Sequence, residues 1–184
     1  LVFKMPDVNE VVVSHQLNIN EAKIYTMMKK ILVEVKKRVE KAKLYRDREN
    51  TKRFSSYLLV MITYLRQALI CPLIPIASIA IDASDVEKKS ELSAILMEEI
   101  GRLQINPWLN DPEAVKSSRI KECISKLNSH RNERVVLFSC YKSCLDILQH
   151  YMPKDRPVLR ITANMNIEKR GQIVEELGRT DNGI

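Results

Sequence analysis

"RVVLFSCYKSCLDILQHYM", residues 134–152, opens with an apolar burst and ends as an amphipathic helix, with a polar elbow, Ser139-Cys140-Tyr141-Lys142, between them. The run VVLFS is short, continuous and apolar, the type of strand that is buried on both faces of a parallel sheet. KSCLDILQHYM reads as a helix, and Pro153 to Pro157 as a turn. VLRIT then reads as a second strand and NIEKRGQIVEEL as another helix. Upstream, SSRIKECISKLNSH is an amphipathic helix with Ile120, Cys123, Ile124 and Leu127 on one face. The order α-β-α-β-α predicts an α/β fold with a parallel sheet and right-handed crossovers. Two central-type strands leave edges and faces uncovered, so the predicted sheet is incomplete, the beginning of a domain.

The first half reads differently. VNEVVVSHQL, residues 8–17, is β-branched and predicts one strand. Asn18 and Glu21 have the spacing of a capping box. Ile24, Met27, Met28, Ile31, Leu32 and Val35 then recur at helical spacing, in a helix that runs on into KKRVEKAKLYRDRENTKR. A second helix is expected from near Ser55 to a point before Pro72, apolar on nearly all sides and therefore buried or packed between elements. Residues 71–84 read as irregular because of Pro72 and Pro75, and a third helix is expected from Ser84 or Asp85. INPWLNDPEAV reads as a connector. The expected organisation is a strand over 1–19, a helical region over 20–105, a connector over 106–116 and an α/β unit over 117–184.

Apolar residues are 45% and charged residues 29% of the 184, enough for a packed core. No apolar run reaches the roughly 18 residues of a membrane span, and no secretory leader is recognisable, so an intracellular protein with no membrane partner is expected. Cys71, Cys123, Cys140 and Cys144 form no C-x-x-C pair and read as reduced core residues rather than a metal site. Of the +7 net charge, residues 23–53 hold twelve Lys/Arg against four acids, or +8, leaving −1 elsewhere. A basic segment of this kind suits a polyanion such as nucleic acid, or a solvated helix face.

The chain carries no G-x-x-x-x-G-K-[ST], G-x-G-x-x-G, H-E-x-x-H or G-x-S-x-G, and His15, His130 and His150 are isolated. No complete catalytic centre assembles, and no bound cofactor or metal is expected for this chain alone. The elbows are the better candidates. Ligands of open parallel sheets bind beyond the carboxyl ends of the strands. Ser139 ends the first predicted strand and Thr162 with Asn164 the second, with Lys142 adding charge. These groups suit phosphate oxygens, or alternatively act as helix N-caps.

An ordered series of stretches resembles the Swi/Snf-type ATPases of helicase superfamily two. MPDVNEVVVSHQLNINEAKIY matches the segment leaving the first lobe at Pro6, Leu17, Glu21 and Tyr25. YLRQALICPLI matches L-R-Q-x-x-x-x-P at Leu65, Arg66, Gln67 and Pro72. SSRIKECISKL is similar to the helix opening the second lobe, with Arg119 where Lys is usual. RVVLFSCYKSCLDILQHYM is similar to motif IV, and RITANMNIEKRGQIVEEL to the stretch after it, with Arg170 at its arginine. Thr162-Ala163 replaces the usual Asp-Gly and Leu177 the usual Phe, which suggests a divergent branch, of the kind found in large DNA viruses.

The resemblance implies a RecA-like second lobe, and a chain from the middle of a double-stranded DNA translocase. The ATPase motifs would lie outside it. This chain alone would then be inactive, with ATP and Mg required by the complete protein. It implies DNA-backbone contacts from Ser139, Lys142, Arg170 and Asn164, and an inter-lobe brace from Arg66 and Gln67. The remainder of the parent chain would be its other partner, in the nucleus or cytoplasm or, for a viral protein, in a viral factory or virion. A self-contained helical interaction module, binding through the basic helix from Asn20 onward, is the competing expectation.

Overall fold

The computed structural model describes residues 10–85, 90–180 and 184. Helix α1 (Ile19–Leu44) starts where Asn18 accepts from the Asn20 and Glu21 amides while Glu21 accepts from the Asn18 amide, a complete capping box. It does not run on through the charged stretch. The chain turns at Tyr45–Asp47 and returns as α2 (Arg48–Ala68), so the second helix begins seven residues before Ser55. Arg46 has φ 55 and occupies the left-handed position of a Schellman cap. The Arg46 amide donates to the Lys43 carbonyl at 3.1 Å and the Asp47 amide to the Ala42 carbonyl at 2.9 Å. Asp47 then caps α2 through the Asn50 amide, 3.0 Å away.

Residues 73–84 are helical, as α3 (Leu73–Ser84), and not irregular. Pro72 is its N-cap and Pro75 lies in its first turn, where helix amides have no intrahelical partner for a proline to remove. Helix α4 (Glu91–Arg102) is capped by Ser90, not by Ser84 or Asp85. Of the predicted third helix, residues 86–89 lie outside the described residues. The connector forms a short α5 (Asn106–Leu109) and a 3₁₀ turn, Pro112–Val115. Helices α6 (Ser118–Ser129), α7 (Lys142–His150) and α8 (Ile167–Arg179) follow as the sequence predicts.

The α/β expectation is overturned: among the described residues the structure is helical and holds no strand or sheet. Residues 10–18, 134–139 and 157–162 form no ladder, and residues 8 and 9 of the first predicted strand lie outside the described residues. The two runs of the predicted sheet do not pair with each other. An apolar cavity of about 330 Å³ has both Val135–Phe138 and Val158–Ile161 in its lining. Among the described residues, Ile184 makes strand-like bonds to this region, donating to the Pro157 carbonyl (2.9 Å) and accepting from the Leu159 amide (2.7 Å). The sheet expectation needed neighbours for both runs, and these runs do not supply them to each other.

Two apolar clusters hold the helices. The larger packs Ile24, Met28 and Val35 of α1 against Met61 and Leu65 of α2, with Ile79 of α3 and Leu96 and Ile100 of α4. Trp108 of the connector packs on its side. The smaller joins Cys71 and Ile74 to Ile120 of α6 and to Cys144 and Leu148 of α7. Burying each large aliphatic side chain contributes about 1.5–3 kcal/mol. Helix α2 is less buried than its composition predicts, since Leu59, Val60 and Ile62 face solvent.

Candidate nucleic-acid interface

The α1–α2 hairpin concentrates the positive charge. All twelve Lys/Arg of residues 23–53 are exposed. The amphipathic spacing of α1 produces this arrangement, because its apolar stripe faces the core and its lysines occupy the opposite face. Four of the twelve are engaged. Lys37 pairs with Glu34 at 2.8 Å and Lys36 with Glu40 at 3.9 Å. Arg38 and Arg53 both reach Glu91 of α4, at 3.0 and 3.8 Å, and both lie over the Phe54 ring. Lys41, Lys43, Arg46 and Arg48 ring the hairpin tip with no ion pair to any described residue. Two acids lie at this tip: Glu49 is exposed in the first turn of α2, whereas Asp47 spends its carboxylate on capping. The Asn50 amide and side chain hold its pKa below the ordinary carboxylate value.

The Ser139 elbow is a tight local turn. The Tyr141 amide donates to Ser139 Oγ (3.1 Å), and Ser139 Oγ donates to the Tyr141 carbonyl (3.2 Å). Tyr141, not Ser139, is the N-cap of α7, and its side chain makes no cap. The first turn of α7 therefore keeps amides without a capping side chain. Lys142 projects into solvent and pairs with Asp146 at 3.2 Å. Asp146 also binds Arg160 at 2.7 Å, and Arg160 followed by Lys142 lowers its pKa.

The second elbow is a turn over Thr162–Met165, closed by the Met165 amide on the Thr162 carbonyl at 3.2 Å. It forms with Thr162-Ala163, a pair that carries no glycine. Asn164 is exposed at its tip, and the N-cap of α8 is Asn166. Arg170 Nη2 donates to the Ala163 carbonyl at 2.8 Å, bracing the turn, while its Nε is buried without a partner. Ser139 and Lys142 thus share one elbow, Asn164 and Arg170 the other, and no hydrogen bond joins the pairs. Arg66 is exposed on the last turn of α2. Gln67 is half-buried beside it, its Oε1 buried and unpartnered.

Two charged residues outside the candidate site residues prove central, Glu21 beyond its expected capping role and Arg156. Glu21 is fully buried. Besides closing the α1 cap, it accepts from the Ser118 amide (2.7 Å) and the Ser118 hydroxyl (2.6 Å). One carboxylate therefore serves the N-termini of α1 and α6. Ser117 adds a bond to the Ile70 carbonyl and caps the Ile120 amide. At the other end of α6, buried Arg156 donates to the carbonyls of Leu127 (3.1 Å) and Glu133 (2.7 Å). An anion at the N-terminus and a cation at the C-terminus match the helix dipole. The local half of the Glu21 signal, its capping spacing, was visible; Arg156 carried none.

Burial pushes the thiols of Cys71, Cys123 and Cys144 upward, which keeps them protonated and poorly nucleophilic. Among the described residues, no group of three or more His, Cys, Asp or Glu is placed to hold a metal, and no helix is long and apolar enough to cross a membrane. Comparison of the chain with protein-family models, curated proteins and solved structures finds no match.

Proposed function

We propose that this chain is a duplex-binding helical piece of an ATP-driven DNA translocase of the Swi/Snf type. The observation that carries the reading is the hairpin tip, where Lys41, Lys43, Arg46 and Arg48 stand exposed and without an ion pair to any described residue. Such a surface attracts the phosphate backbone through counterion release and reads no bases. Ser139, Lys142, Asn164 and Arg170 are secondary phosphate contacts in this reading, supported by the uncapped first turn of α7. Arg66 and Gln67 brace the helical region against the rest of the translocase, which supplies ATP and Mg binding.

The test is binding of a labelled duplex by the chain and its variants. Replacing Lys41, Lys43, Arg46 and Arg48 together by Ala should weaken binding about tenfold or more, equally for unrelated sequences. The pair Lys142→Ala and Arg170→Ala should add a smaller, equally sequence-independent loss. Unchanged affinity in the four-site variant would remove the hairpin from the interface.

A helical interaction module is the second reading. Leu59, Ile62, Thr63 and Arg66 follow one another at helical spacing on the exposed side of α2, a stripe suited to a partner helix. Charged substitutions at Leu59 and Ile62 that abolish binding to a partner protein, with duplex binding intact, would favour it.

A further inference from the structure

We infer that the apolar cavity lined by residues 135–138 and 158–161 receives an extended strand, Glu10–Ser14, from a second copy of this chain. The cavity wall is unusual in its main chain. The amides and carbonyls of Val135 to Phe138 bond to no described residue, although Val135 and Leu137 are half-buried. Val136 and Phe138 are 60% and 93% exposed, so apolar side chains and unpaired backbone coincide on one segment. That combination is the template for strand addition.

A second segment of the lining already shows main-chain pairing. The two bonds between Ile184 and Pro157–Leu159 have the alternation of a parallel strand pair, and the Ile184 side chain lines the cavity. Arg160, also in the lining, has Nε and Nη2 buried with no acceptor. An incoming strand would bring carbonyls to this wall.

The matching strand lies elsewhere in the chain. Val11, Val12 and Val13 are 70%, 86% and 44% exposed, lie outside any helix and bond to no described residue. Three consecutive β-branched residues favour extended pairing. Glu10 precedes them, complementary in charge to exposed Arg134, which adjoins Val135. One chain therefore carries both an unpaired apolar wall and an unpaired β-branched strand. Reciprocal exchange between two copies satisfies both through a closed two-fold dimer.

Sedimentation analysis across a concentration series tests this. The native chain should dimerise. Val12→Lys and Val136→Lys should each weaken dimerisation about tenfold or more, since a lysine charge does not enter an apolar slot unpaired. Both side chains are exposed in the single chain, so helical circular dichroism should be unchanged. The deciding arm mixes the two variants. Val12→Lys retains an intact cavity and Val136→Lys an intact strand, so the mixture should recover a heterodimer through one exchange. A native chain that stays monomeric overturns the inference. So does a dimer that Val12→Lys leaves intact, or a mixture that shows no recovery.

Discussion

Glu21 shows how one side chain sets a tertiary arrangement. It is buried, yet all its bonds come from helix-start donors: Asn18, Ser118 and the Ser118 hydroxyl. Glu21→Gln should cost about 2 kcal/mol and Glu21→Ala about 3, because buried donors lose a charged acceptor. A double-mutant cycle with Ser118→Ala, followed by urea unfolding, should show coupling of about 1 kcal/mol or more. The capping half of this residue was readable because its partner is three positions away. The other half was not, since 97 residues separate Glu21 from Ser118 and no periodicity links them. Titratable side chains give a second prediction. Tyr64 is pushed up to about 12, first by burial and then by Asp82, from an ordinary value of 10.0. Burial also raises Cys71, Cys123 and Cys144 above 9.0. The folded state then holds these protons more tightly than the unfolded chain. The contribution of these groups to stability should be full below pH 9.0, decline first through the thiols, and continue to fall toward pH 12 through Tyr64. Tyr64→Phe should remove the part above pH 10.0. Thermal unfolding across this pH range checks both components.

Individual helices were largely legible where local chemistry decides them. The stripe Ile24, Met27, Met28 and Val35 is buried, as its spacing predicts, and α6, α7 and α8 lie where amphipathic runs place them. The break between α1 and α2 was missed because its left-handed residue is arginine, where glycine is the usual signal. Arg46→Gly should stabilise the chain by about 1 kcal/mol, and Arg46→Val should destabilise it by a similar amount, in urea unfolding. The α3 helix was missed because prolines read as breakers, although first-turn positions tolerate them. The predicted strands failed for a physical reason of another kind. VVLFS and VLRIT have strand composition, but a strand exists only with a paired neighbour, and these two line one cavity without bonding to each other.

Across the molecule, stability is uneven. Helices α1 to α4 share the larger apolar cluster, α6 and α7 a smaller one, and α8 has no buried residue. Amide exchange should therefore be fastest in α8 and slowest along the Ile24–Val35 stretch of α1. Loss of α8 protection at low denaturant, with α1 protected, is the expected order. The charge distribution at this scale was fully visible in the sequence, because summing Lys, Arg, Asp and Glu along the chain needs no fold. Its assembly into an exposed hairpin tip was not, because that depended on the Arg46 turn. The central claim, that this tip binds duplex backbone, is tested most directly by measuring duplex affinity against salt concentration for the native chain and for the variant with Lys41, Lys43, Arg46 and Arg48 replaced by Ala. Four phosphate contacts predict a native log–log slope steeper than the variant's by about 3 to 4, at about −0.9 per contact. Equal slopes for the two proteins, or a native affinity that salt does not change, would contradict it.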